Sequence, residues 1–310
     1  MDLPFDRDLS IGVSAPLMTA ENFHATIGLV DRLGYDVFWA GDHVEAASPM
    51  LEPLVQLAQA AALSQRLTIA TGIYLLPLRH PVSVAKQVAS LDRLTGGRLL
   101  FGVGVGGEFP NEFAACEVPM TERGARLSEA IPILRALWSD QPAAHQGRFY
   151  NFPEVHLTPG PARPGGPPIW CGGRSDAALR RAGRLADGWL AYVVSPERYA
   201  ESLEKILAAA AEVGRQTDRY GTGIMLYCRI EDDYETALEV MTEDLSARYK
   251  MDFGVPAKRY GALGRPEDVA EVIAGFRAIG VRHVSLDMSG PDADRQAQLT
   301  RFAEEVRPLL

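Results

Sequence analysis

The sequence predicts an α/β fold, a (β/α)8 TIM barrel formed by a single domain over residues 1–310. It has two insertions, a hairpin and loop before the fifth strand and a long segment after the seventh. Three observations carry this. Short apolar runs ending in glycine or polar residues alternate with stretches whose apolar residues recur at helical spacing. That strand-then-helix rhythm calls for a parallel sheet with crossover helices. It repeats eight times within 310 residues, a length that one such barrel commonly fills. The rival is an open doubly wound sheet, and both arrangements place ligands at strand C-terminal ends.

Ser10 to Ser14 is the first strand. Phe23, Ile27, Val30 and Leu33 fall on one face of a helix from Glu21 to Leu33, which Gly34 closes. Asp36 to Ala40 is the second strand, followed by helix Pro53 to Leu63. Leu67 to Tyr74 is the third, followed by helix Val82 to Leu94. A Gly96-Gly97 turn opens the fourth strand, Leu99-Leu100-Phe101, and the next helix is read from Arg123 to Trp138. The rhythm then breaks. HQGRFYNF reads as a hairpin and PGPARPGGPP as an extended surface loop. Ile169 to Cys171 with helix Ala177 to Ala186 resumes it, then Gly188 to Val194 with Pro196 to Val213. Ile224 to Ile230 with Tyr234 to Tyr249 is the seventh unit. A loop of roughly fifteen residues from Lys250, longer than a usual connection, precedes helix Pro266 to Ile279. Strand His283 to Met288 and helix Arg295 to Val306 end the chain.

A net charge of −9 argues against nucleic acid or an anionic membrane surface as a general partner. The expected partner is a small-molecule substrate, and a homodimer is left open. Three cysteines, none paired as C-x-x-C, fit a reducing compartment. The first residues are acidic, with no apolar core of a signal peptide, and no run approaches membrane-spanning length. The expectation is a cytoplasmic protein.

The richest stretch is Gly96 to Phe113. Its strand dissolves into glycines at 102, 104, 106 and 107, which lets something large approach the backbone. Glu108 and Asn111 follow and can reach back over that opening. We read this as the floor of a ligand site, partly apolar, with Glu108 as a proton donor or acceptor. Gly102, Gly104 and Gly107 also satisfy G-x-G-x-x-G. A dinucleotide site needs a helix opening directly on the last glycine, and the next helix is read only near Glu122.

After the second strand come Asp42 and His43. An acid beside an imidazole can hydrogen-bond a ring and move a proton near neutral pH; a helix-capping acid beside a packed histidine fits the dipeptide equally. Gly72 inside the third strand reads by itself as a packing glycine. Gly172, Gly173, Arg174 and Ser175 run from the fifth strand into a helix, aiming backbone N–H groups, a dipole and a guanidinium at one point. That suits a phosphate, and we prefer it to a plain Ser175 N-cap beside a solvated Arg174. His80, Cys171 and Glu129 read as a loop histidine, a packing thiol and a helix-face acid. No metal-ligand spacing and no nucleophile elbow appears.

Taken together, FWAGDH, TGIYLLPLRHPVSVAKQVASLDRLTGGRLLFGVG, ERGARLSEAIPILRALW, PPIWCGGRSDAALRRAGRLADGW and GRPEDVAEVI resemble the bacterial luciferase-like flavin and deazaflavin oxidoreductases. The resemblance implies a TIM barrel and a choice between coenzyme F420 and FMN. Asp42-His43 is similar to the pair that F420 enzymes place against the deazaflavin, with His43 assisting in proton transfer. GVGGEFPN resembles the glycine-rich strand end in which Glu108 is the acid, Gly106 and Gly107 lie at the cofactor and Asn111 touches the ring. Gly72-Ile73 falls where a non-prolyl cis peptide backs the cofactor, and Gly172-Gly173 where its phosphate binds, beside Arg174 and Ser175. The implied activity is F420-dependent hydride transfer. A reduced-FMN monooxygenase is the alternative, and a cofactor-less binding barrel the third reading. Val44 to Ala47 lack the aromatic residue that some members carry after the histidine, so the substrate is not named.

Overall fold

The computed structural model describes residues 8–310. Its strands, in chain order, are β1 (Ser10–Ser14), β2 (Val37–Ala40), β3 (Thr68–Thr71), β4 (Leu99–Val103), β5 (Ala143–Gln146), β6 (Asn151–Val155), β7 (Ile169–Gly172), β8 (Gly188–Tyr192), β9 (Gly221–Ile230), β10 (Ala262–Gly264) and β11 (His283–Met288). Eight of them close a parallel ring in the order β1-β2-β3-β4-β7-β8-β9-β11 and back to β1. The ring confirms the (β/α)8 barrel and excludes the open sheet.

The helices are α1 (Ala20–Arg32), α2 (Pro53–Leu63), α3 (Pro81–Leu94), α4 (Pro110–Ala115), α5 (Arg123–Leu137), α6 (Asp176–Leu185), α7 (Pro196–Ala211), α8 (Tyr234–Tyr249), α9 (Gly254–Tyr260), α10 (Pro266–Ala278) and α11 (Arg295–Arg301). Local chemistry starts them. Thr19, Ser175, Ser195 and Asp233 each accept an N–H from the first turn that follows. Proline, with no N–H to leave unpaired, stands in the first turn of α2, α3, α4, α7 and α10. No helix among the described residues is long and apolar enough to cross a membrane.

Strand side chains alternate between two cores. Phe38, Ile69 and Phe101 face outward to the helices. Val37, Trp39, Ala70, Leu100, Trp170 and Leu190 fill the ring, where the two indoles lie 5.9 Å apart. Such bulk needs small residues opposite. A Cβ on Gly188 or Gly221 would collide with Trp170.

Both insertions carry structure. β5 and β6 pair as the expected antiparallel hairpin, and Glu129 latches it by accepting N–H groups from Phe149 and Tyr150. Glu129 is therefore more than the helix-face acid read from sequence. The expected loop from Lys250 instead contains α9 and β10, the latter pairing outside the ring with Cys228–Ile230 of β9. A second correction concerns α4, which opens at Pro110 where the sequence placed no helix before Glu122. Elements of three to seven residues are too short to show a period. The last helix also changes character, since residues 302–306 form a π-helical turn after α11.

Candidate functional site

Polar side chains converge at the C-terminal end of the ring. After β2 the two residues of the acid–imidazole pair point apart. Asp42 is buried, accepts the Leu75 N–H at 2.8 Å and forms a two-pronged ion pair with Arg79. Arg79 in turn lies 4.4 Å over the ring of Tyr74. Asp42 thus braces the segment after β3 and does not touch the imidazole beside it in sequence.

The acid at the imidazole is Glu112 on α4. Its oxygens stand 3.2 and 3.3 Å from His43 Nδ1, and one of them accepts the Val44 N–H at 3.0 Å. The Glu112 side chain is fully buried and that of His43 is 20% exposed. Phe109 meets the imidazole edge-on, with centroids 4.9 Å apart. The sequence reading missed Glu112; Pro110 at the start of α4 was the available signal.

At the end of β3 the Gly72–Ile73 peptide is cis, as the family resemblance implied. Ile73 then changes the meaning of several glycines. A Cβ on Gly104 would overlap the Ile73 side chain, and one on Gly172 would lie 2.8 Å from its Cδ1. A Cβ on Gly102 would strike the Thr71 carbonyl oxygen. At these positions the glycines admit the chain's own atoms, so the floor expected of bare glycine is built largely by Ile73.

Gly106 and Gly107 have positive φ and turn the chain so that Glu108 and Asn111 emerge exposed. Exposure corrects the partly apolar setting expected around Glu108. Its Oε1 accepts the Tyr192 hydroxyl at 3.2 Å. Burial first, and the Glu108 charge second, push the Tyr192 hydroxyl up to about 12. It therefore remains a donor at neutral pH.

β7 runs through Gly172, Gly173, Arg174 and Ser175 into α6. Ser175 caps the helix, accepting the Ala178 N–H at 3.3 Å. Arg174 donates to the Val193 carbonyl at 2.8 Å and lies 5.3 Å over the Tyr192 ring. The structure thus contains the N-cap, while Arg174 is fastened across the barrel end. Asp176, at the same helix start, is paired with Lys205 at 2.7 Å.

The opposite wall comes from residues that sequence reading did not single out. Tyr227 and Tyr249 hydroxyls lie 2.6 Å apart, and Phe253 stacks on Tyr249. Arg248 joins Asp287 and Asp244. Burial opposes its charge, but the two carboxylates hold its pKa well above the ordinary value. A groove of about 810 Å³ lies elsewhere, lined by Val194, Asp232, Lys258, Arg259, Arg265 and Phe276 among others. It contains none of the residues the sequence proposed.

A closed parallel ring with polar side chains and a glycine turn gathered at its C-terminal end is the arrangement in which barrels of this kind place their sites. Residues 4–262 match the luciferase-like monooxygenase family, and the chain belongs to that family. Uncharacterized proteins of Mycobacterium tuberculosis and Mycobacterium bovis are 36% identical over 167 residues, 54% of this chain and 57% of theirs. The chain thus spans little more than half the length of those relatives. An F420-dependent glucose-6-phosphate dehydrogenase of Microbacterium testaceum is 28% identical over 309 residues, with 91% of each chain covered. Among solved structures, the monooxygenase RslO1 of Streptomyces bottropensis superposes with a TM-score of 0.84 at 25% identity, covering 97% of this chain and 99% of its own.

Proposed function

We propose that this chain is an F420-dependent oxidoreductase that moves a hydride between the deazaflavin ring and a small organic substrate. The observation that carries this reading is the meeting of His43, Glu108 and the Gly172–Ser175 turn at one end of the ring. His43 follows β2, Glu108 follows β4 and is tied to β8 through Tyr192, and the turn follows β7.

These residues fit a phosphate-bearing ring cofactor. α6 is ten residues long, and its first N–H groups have no partner within the helix. Gly173 has φ +104 and a Cβ there would lie 2.9 Å from Ala178 Cβ, so glycine lets this turn pack directly on the start of α6. Gly172, Gly173, Arg174 and Ser175 would hold the phosphate end. Gly72, Ile73, Gly106, Gly107 and Asn111 would wall the ring, with Asp42 bracing Arg79 and Leu75 behind it. Bound there, the cofactor would supply a ring carbon that gives or takes a hydride. The chain would orient the substrate, and His43 and Glu108 would give or take the proton at its heteroatom.

The F420-dependent relative supports deazaflavin. The monooxygenase structure supports a second reading, a reduced-FMN monooxygenase. Titrating the purified protein with F420 and with FMN, followed by fluorescence, separates them. Saturable F420 binding at micromolar concentration and weaker FMN binding are expected. Tighter FMN binding, with flavin co-purifying, reverses the order, and no binding of either leaves a cofactor-less barrel. Sedimentation of the same protein reads the oligomeric state, for which a homodimer stays open.

A further inference from the structure

We propose that Glu112 is a positioning residue that fixes His43 as the proton-handling group of the site, with Nδ1 protonated and Nε2 presented to substrate. This rests on the reading above, in which His43 exchanges a proton with substrate. The sequence suggested a different acid, Asp42, and the structure gives that acid to Arg79.

The geometry of Glu112 is specific. Its side chain is fully buried, and a carboxylate at that depth needs donors on its oxygens. One donor is fixed, because the Val44 N–H has no other role to take than giving its hydrogen to Oε2 at 3.0 Å. The other is His43 Nδ1, within 3.3 Å of both oxygens. An ionised carboxylate only accepts, so Nδ1 carries the hydrogen and Nε2 carries the lone pair. Phe109, one residue before α4, packs edge-on against the same ring. Backbone, carboxylate and aromatic ring therefore hold the imidazole in one orientation, with its partly exposed edge outward.

The chemistry balances in either direction. When a substrate alcohol is oxidised, its O–H proton would pass to His43 Nε2, and a bound deazaflavin would supply the acceptor for the hydride that leaves carbon as the C=O bond forms. In reduction the imidazolium returns the proton as the hydride arrives at carbon. In both, the Glu112 carboxylate faces the positive charge that the ring carries between turnovers.

The test is ¹⁵N NMR of histidine-labelled protein, with the His43 signals assigned by their loss in His43→Gln. The protein without cofactor is expected to show the Nδ1–H tautomer at His43, and Glu112→Gln a mixture of tautomers. Glu112→Gln should also keep F420 affinity within a few-fold while turnover falls by about a hundredfold, the size of a lost proton-transfer contribution. Glu112→Asp, which restores a carboxylate, should recover part of that loss. An Nε2–H tautomer in the wild-type protein overturns the proposal even if the variants fail to fold. So does wild-type turnover in a folded Glu112→Gln. Absence of F420 binding by the wild type defeats the functional reading instead, and leaves the tautomer result standing.

Discussion

The side chain of Ile73 occupies the space that a side chain on Gly104 would require. The residue after the cis peptide of one strand thus dictates glycine two positions past the phenylalanine-and-glycine core of the next, Phe101-Gly102. Gly104→Ala overpacks this contact and should cost about 1–3 kcal/mol of stability, read as a lower urea midpoint. Gly275→Ala is the control, because a Cβ there meets nothing within 4 Å and alanine is the better helix former. Equal midpoints for Gly104→Ala and wild type would show that Ile73 yields freely.

Asp42 and Arg79 form the second brace. The Asp42 side chain is fully buried and that of Arg79 is 21% exposed, so removing the acid leaves a largely desolvated guanidinium against Tyr74. Asp42→Ala should destabilise by about 3 kcal/mol, the lower end for a broken buried pair because Arg79 retains some solvent. The double substitution Asp42→Ala with Arg79→Met should recover part of the loss. A double variant no more stable than Asp42→Ala would show that the stranded charge is not the cause.

Glu108→Gln should leave F420 affinity within a few-fold and lower turnover by about a hundredfold. Tyr192→Phe removes the hydroxyl that donates to Glu108 and should lower turnover by a smaller factor, since the carboxyl itself remains. Steady-state rates on a substrate found by screening carbonyls, imines and activated alkenes decide this. Wild-type rates for Glu108→Gln would leave the exposed carboxyl without a part in the chemistry.

The strand pattern was legible because eight apolar runs each end in glycine or polar residues. The site was legible only where adjacent residues share a task. Gly172 to Ser175 form one turn into α6 and could be read as one, though the tie from Arg174 to the Val193 carbonyl could not. His43 and Glu112 are 69 residues apart, and the helix that carries Glu112 spans only six, so no periodicity announced it. Asp42 stood beside His43 in sequence and looked like its partner; a chain leaving a strand end sends successive side chains to opposite sides. Gly102 and Gly104 were read as room for a ligand, but the Thr71 carbonyl and the Ile73 side chain take that room, which only the fold could show.

His283 makes the stability depend on acid. Its ring sits at the start of β11, edge-on to Trp170 at 5.0 Å, and burial depresses its pKa from 6.5 to about 3. The unfolded chain therefore binds a proton that the folded chain refuses across that interval. This contribution is complete above about pH 6.5 and is lost as pH falls toward 3. At pH 4.5 the loss should be about 2–3 kcal/mol. Urea midpoints at pH 7.5 and 4.5 measure it, and His283→Leu should narrow the difference between them. An unchanged difference in the variant would assign the acid sensitivity to other groups.

β9 pairs with β8 through Gly221–Met225 and with β10 through Cys228–Ile230. One continuous strand therefore belongs to two structures, the ring below and the added wall above. Tyr249 and Phe253 lie on the stretch that leaves β9 and returns as β10, anchored where those two strands pair. Sequence change within residues 250–260 can remodel what the barrel end admits while the ring closure beneath stays as it is. The wall is a separable part on a permanent frame.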